Sequence, residues 1–247
     1  MFPIRDHNPS GRVPYVTYAL MAANIGIFLV YAGRMDDVRF MNALWLEWAM
    51  IPARISTGDG YVTLFTSMFL HGGILHLAGN MLFLWIFGDN IEEKLGHIKY
   101  LLFYLACGVL AILTEFVIYP GSTIPTVGAS GAIAGVMGGY LLLFPKAKVD
   151  ILLIIIVIFR IIPIPSWILL ALWFVVQFIG GLLSNPEEAG VAYWAHAGGF
   201  IAGMILIAPK WWRLGGPGFW RRTEGHPAHP TARYHLMESR IPKVSRR

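Results

Sequence analysis

The chain has 247 residues, 56% hydrophobic and 13% charged, with a formal net charge of +5 and a mean hydropathy of +0.60. Soluble domains carry roughly 25% charged residues, so the composition argues against a soluble fold. The basic excess flanks apolar segments instead of forming a separate basic region, which argues against nucleic acid as a partner, and a single cysteine, Cys107, excludes an intramolecular disulfide.

In chain order, residues 1–13 form a short polar N-terminus ahead of an apolar run at 14–32. No small-residue cleavage site follows that run, so it is expected to stay as a span rather than leave as a signal peptide. A helix needs about 20 apolar residues to cross the hydrocarbon core, with about 17 as a practical minimum. Runs 14–32, 100–118 and 165–183 meet this. Runs 73–87, 129–144 and 191–208 are shorter or richer in small residues but complete a set of six. The very apolar stretch 149–164 holds only nine residues, ILLIIIVIF, before Arg160, with Pro163 and Pro165 beyond. It is predicted to be an interfacial or re-entrant segment between spans four and five. The expected fold is an all-α membrane protein, a six-helix bundle over residues 14–208, with a basic, disordered tail at 209–247.

Charge sets the expected orientation. Six spans with the N-terminus inside leave sixteen Lys and Arg on the inner side and Arg34, Arg39 and Arg54 outside, as the positive-inside rule requires. Both termini are therefore expected in the cytoplasm, with the protein in the cell membrane. Membrane lipid is one partner, and the tail arginines suit anionic headgroups.

In this topology the second, fourth and sixth spans all start at the outer face, and their first turns carry His76 and Asn80, Ser130, and His196 respectively. Polar side chains at membrane depth are costly and mark functional sites. Ser130 with His196 supplies a nucleophile and a general base, with no Asp or Glu within these three spans at that depth to complete a triad. His196, Gly199 and Gly203 share one helix face, and Gly131 with Gly135 gives the fourth span its own small-residue pair, so the two backbones can approach closely. His76 and Asn80, four apart, are candidate donors to an oxyanion, as is the Ser130 backbone amide at its helix N-terminus. A metal site from His71, His76 and His196 is disfavoured, because His71 and His76 lie about 140° apart on a helix and no HExxH pattern accompanies them. The GASGA string around Ser130 lacks the last glycine of a soluble hydrolase elbow and follows no strand.

Three motifs, HGGILHLAGN at 71–80, GASGAIAG at 128–135 and AHAGGFIAG at 195–203, in this order and on three spans, resemble the rhomboid family of intramembrane serine proteases. The resemblance covers about 14–208. It implies a six-helix fold with a water-filled cavity open to the outer side, Ser130 as nucleophile, His196 as base, His76, Asn80 and the Ser130 amide as oxyanion hole, and no cofactor. Transmembrane proteins are the implied substrates. EEKLG at 92–96 matches a family stretch that reads as structural. Two departures stand out: Ala134 occupies the place where many relatives stack an aromatic on the histidine, and Trp45 and Trp48 lack the arginine that follows a loop tryptophan in many relatives. Cleavage is expected at or just inside the outer end of a substrate helix, with lateral access past the fifth span, where Trp173 and Phe174 suit a gate. Two alternatives are an inactive relative that holds transmembrane helices without cutting them and a transporter; the paired charges of an ion path are missing from the spans. No oligomeric state follows from the sequence.

Overall fold

A computed structural model describes residues 2–155, 158–185, 190–223 and 225. Strand β1 (Phe2–Asp6) leads into α1 (Tyr15–Ala32). A loop region with three short helices follows, α2 (Val38–Trp48), α3 (Pro52–Ser56) and α4 (Thr63–Thr66), and ends in a 3-10 turn at Ser67–Phe69. Then come α5 (Ile74–Leu95), α6 (His97–Ile118) and α7 (Ser130–Leu143), a hairpin of β2 (Lys148–Ile155) and β3 (Ile158–Pro165), and α8 (Ser166–Leu183), α9 (Tyr193–Arg213) and α10 (Pro217–Thr223).

A helix occupies each of the six predicted spans. By length and composition, α1, α5, α6 and α8 can cross a membrane. Helix α7 has 14 residues, about 21 Å at 1.5 Å per residue, less than the roughly 30 Å hydrocarbon core. It is buried on nearly every side, from Gly131 to Tyr140 without a break, and packs mainly against α9 and α6. A helix apolar all round is an interior helix, and one enclosed by protein does not have to match the lipid thickness. Helix α9 has 21 residues but includes Pro209, Lys210 and Arg213 in its last turns.

The stretch at 149–164 is neither interfacial helix nor re-entrant loop, which corrects the all-α expectation. It folds as an antiparallel β-hairpin, paired from Lys148↔Pro165 to Ile155↔Ile158, and β1 adds to β2 with Asp6 opposite Val149. The run is dominated by isoleucine, whose β-branched side chain favours a pleated surface over a helix. Its prolines, Pro163 and Pro165, fall on β3, an edge strand where a missing donor is tolerated. Asp150 of β2 holds β1 in place through Arg5 Nε at 2.6 Å and His7 Nε2 at 2.7 Å. Burial alone would raise the Asp150 carboxyl, but these partners more than offset it and hold it below the ordinary carboxylate range. Tyr140 of α7 donates to Asp6 at 2.7 Å, so the sheet is fastened to one end of the bundle.

The C-terminal region also differs from expectation. Helix α9 runs past 208 to Arg213, and α10 folds back so that Trp220 Nε1 donates to the Leu142 carbonyl at 2.9 Å and the Lys146 amide donates to the Gly225 carbonyl at 2.9 Å. The rest of the tail predicted to be disordered, 226–247, lies outside the described residues. Strand β1, the hairpin and α10 thus gather at one end of the helices. The EEKLG stretch works at this end too. Glu92 accepts from the amides of Val16 and Thr17 at 2.9 and 2.8 Å and from the Thr17 hydroxyl at 2.7 Å, which ties the exposed donors at the start of α1 to the end of α5.

Candidate active site

The opposite end of the bundle holds a cavity of about 1060 Å³, lined among others by His76, Asn80, Ser130, Trp173 and His196. Ser130 is the first residue of α7. The preceding turn is set by Gly128, whose φ of 124° is strained for any other residue and whose amide donates to the Ser67 carbonyl at 2.9 Å. A side chain there would also come within 2.8 Å of the His76 ring. His196 lies in the first turn of α9. Its Nε2 is 2.7 Å from Ser130 Oγ.

Glycines permit this approach. A Cβ on Gly199 would overlap the Gly131 carbonyl, and one on Gly203 would overlap the Gly135 carbonyl, so α7 and α9 meet backbone to backbone at the spacing of the two small-residue pairs. Gly131 and Gly135 themselves face Ala111 and Cys107 of α6. The glycine stripes thus serve a three-helix junction, not one helix pair.

Asn80 is buried on the second turn of α5, and its Nδ2 has no partner among the described residues. An unused buried donor is normally costly, and this one belongs to a residue that lines the cavity. The His76 Nδ1 accepts from the Gly72 amide at 3.4 Å, which favours the ring proton on Nε2, on the edge of the ring that faces Gly128. His71 is fully buried and packs edge-on against His76 with ring centroids 5.1 Å apart. Among the described residues no group of three or more His, Cys, Asp or Glu is arranged to hold a metal ion.

Sequence reasoning passed over three contacts. Gln177 of α8, buried, places Oε1 2.7 Å from His196 Nδ1. Trp173, one turn earlier on the same face, lies with its ring 5.8 Å from that of His196 at an interplanar angle of 33°. Glu115 of α6 accepts from the Ala195 amide at 3.0 Å and so caps the start of α9 beside His196. A lone glutamine inside an otherwise apolar span was the available signal for the first of these. Phe174, paired with Trp173 in the sequence reading, packs instead on Phe200 at 5.1 Å.

The family model described as "Rhomboid domain" matches residues 58–213. Among relatives, Rhomboid protease GluP of Bacillus subtilis is 45% identical over 78 residues, 32% of this chain and 15% of that protein. Rhomboid protein 1, mitochondrial, of Saccharomyces cerevisiae is 29% identical over 207 residues, covering 77% of this chain and 51% of its own. Rhomboid-like protein 11, chloroplastic, of Arabidopsis thaliana is 32% identical over 130 residues, 53% of this chain and 42% of its own. The chain spans about half, or less, of the length of these relatives.

Proposed function

Since the chain belongs to the rhomboid family, we propose that it is an intramembrane serine endopeptidase acting on the transmembrane helices of other membrane proteins through a Ser130–His196 dyad. The observation that carries this reading is the 2.7 Å contact between Ser130 Oγ and His196 Nε2 on the wall of a cavity. At that distance the imidazole takes the hydroxyl proton as Oγ attacks the scissile carbonyl. The proton then passes to the leaving amine, and the acyl group stays on Ser130. Water, deprotonated by the same ring, releases the acyl group as a carboxylate and restores the serine. Negative charge on the carbonyl oxygen is met by Asn80 Nδ2, His76 Nε2 and the Ser130 amide, and no step calls for a cofactor. Gly131, Gly135, Gly199 and Gly203 have the supporting role of letting the helices meet.

In this reading residues 14–208 form the protease domain, and the sheet and α10 brace its cytoplasmic end. The dyad sits at the outer ends of α7 and α9, so the scissile bond lies at or just inside the outer end of the substrate helix. Six spans and cytoplasmic termini are the reading that the shared end of β1, the hairpin and α10 supports, together with the basic residues there. The membrane itself is left as an integral membrane in general: relatives are named for mitochondria and chloroplasts as well as for a bacterium, which removes support from the expected cell-membrane location.

The competing reading is a relative that holds transmembrane helices without cutting them. A fluorophosphonate probe on the purified protein in detergent separates the two. Labelling that disappears in Ser130→Ala and in His196→Ala supports the protease; an unlabelled, folded wild-type protein supports the binding module.

A further inference from the structure

We propose that Gln177 is a positioning residue for His196: its side-chain oxygen selects the ring tautomer that can act as a base, the task a carboxylate performs in a Ser-His-Asp triad. The proposal rests on the reading of Ser130 and His196 as the dyad. A neutral imidazole carries one proton, on either Nδ1 or Nε2. Only the form with the proton on Nδ1 leaves an Nε2 lone pair facing the Ser130 hydroxyl. Gln177 Oε1 is an acceptor, and it lies 2.7 Å from Nδ1. With the proton on Nδ1 this is a hydrogen bond; with the proton on Nε2 two lone pairs would face each other at the same distance. In the orientation the structure gives the amide, its oxygen therefore favours the catalytic tautomer.

Three further features make this contact a fixed one. Gln177 is 7% exposed, so water does not compete freely for Nδ1. Trp173, on the same face of α8, lies across the ring and limits its rotation, occupying the part that Ala134, fully buried and too small, cannot play from α7. Helix α8 is seated against the start of α9 one turn further on. A Cβ on Gly180 would lie 2.5 Å from the Tyr193 ring, and one on Gly181 would lie 2.8 Å from that of Trp194. These contacts set the height of Gln177 relative to His196. Among the described residues no carboxylate touches the His196 ring, and the neutral amide suits this depth, because an ionised group would carry a desolvation penalty.

The test uses the full chain with a fluorogenic single-span substrate in liposomes. Gln177→Met keeps the shape and removes the acceptor. It is expected to lower kcat by about 10²–10⁴-fold, the range of general-base catalysis, with KM nearly unchanged. Gln177→Glu, which restores an acceptor and adds charge, is expected to recover most of the rate and to move the acidic limb of the kcat–pH profile to higher pH, since a carboxylate stabilises the protonated ring. Nitrogen-15 spectra of histidine-labelled wild type should show His196 protonated on Nδ1. A wild-type-like kcat in Gln177→Met, equal losses in Met and Glu variants with unshifted profiles, or a wild-type His196 protonated on Nε2 would each overturn the assignment. The wild-type spectrum decides the matter even if Gln177→Met does not fold. Cleavage that persists in Ser130→Ala would instead defeat the dyad itself, a separate result.

Discussion

Gly203 lies against the carbonyl of Gly135 so closely that no side chain fits between them. Four residues earlier, Gly199 meets Gly131 in the same way, and the hydroxyl and imidazole that must react are carried one residue before Gly131 and three before Gly199. The distance between Ser130 and His196 is thus set by the absence of side chains a turn or two below them. Gly203→Val should part α7 from α9, destabilise the fold by about 1–3 kcal/mol as overpacked sites do, and lower cleavage, whereas Ser130→Ala should leave stability nearly unchanged. Thermal melting in detergent beside a cleavage assay reads both; a fully active, unshifted Gly203→Val would show that the junction has slack.

Asn80→Ala should reduce turnover by about 10²–10³-fold if its unpaired Nδ2 is the main oxyanion donor, and by less if His76 and the Ser130 amide share the load. Apparent KM should stay near wild type, because the donor acts on charge that appears only in the transition state. A change confined to KM would assign Asn80 to packing.

Asp6, outside the membrane, has its carboxyl pushed up to about 6, chiefly by burial, with the bond from Tyr140 and backbone bonds offsetting part of it. A carboxyl held more tightly protonated in the folded state than at its ordinary 3.8 stabilises the fold most fully below that value. The contribution disappears as pH rises through about 6. Asp6→Asn, still able to accept from Tyr140, should therefore raise the melting temperature at pH 7.5 and remove part of the pH dependence between 4 and 6. An unchanged difference between variant and wild type across that window would rule out the linkage.

For the substrate, a helical segment hides its carbonyls in internal hydrogen bonds and must unwind before Ser130 can attack. Gly placed near the scissile bond should speed cleavage by lowering the unwinding cost by about 1 kcal/mol, and Pro by up to about 3. Mass spectrometry of products from a model single-span substrate should locate cuts near its outer end. Cuts at the inner end, or rates indifferent to the inserted breakers, would refute the geometry.

The residues that meet at the candidate site stand out in the sequence because their signals are local. Ser130, His76, Asn80 and His196 are polar residues at the starts of apolar runs, and the four glycines repeat at helical spacing beside them. Gln177 and Glu115 were not legible in the same way. They act across helices, on the ring of His196 and the amide of Ala195, and their partners are fixed only when α6, α8 and α9 have packed. The hairpin failed for a different reason. An unbroken run of isoleucine and leucine has no period to separate strand from helix, and its pairing partner, β1, lies some 145 residues away in the chain, as in the Arg5–Asp150 bond. The end of α9 escaped because Pro209 and the charges after it looked like a boundary, whereas the aromatic rings of Trp211 and Trp220, 4.8 Å apart, pack this region against α10.

Among the described residues helix α8 fully buries only Ser166, Leu170, Gln177 and Gly181, and it packs chiefly on α9. Phe83 of α5 and Trp173 of α8 both line the cavity. An outward swing of α8 wide enough to admit a substrate helix would carry Gln177 and Trp173 away from His196. Such a movement would leave the histidine unaligned while the flank stood open, and closure of the wall behind a substrate would restore the alignment. Cross-linking α8 to α9 should spare cleavage of a small soluble ester and abolish that of a membrane-spanning substrate; loss of both, or of neither, would mean that opening and alignment are independent.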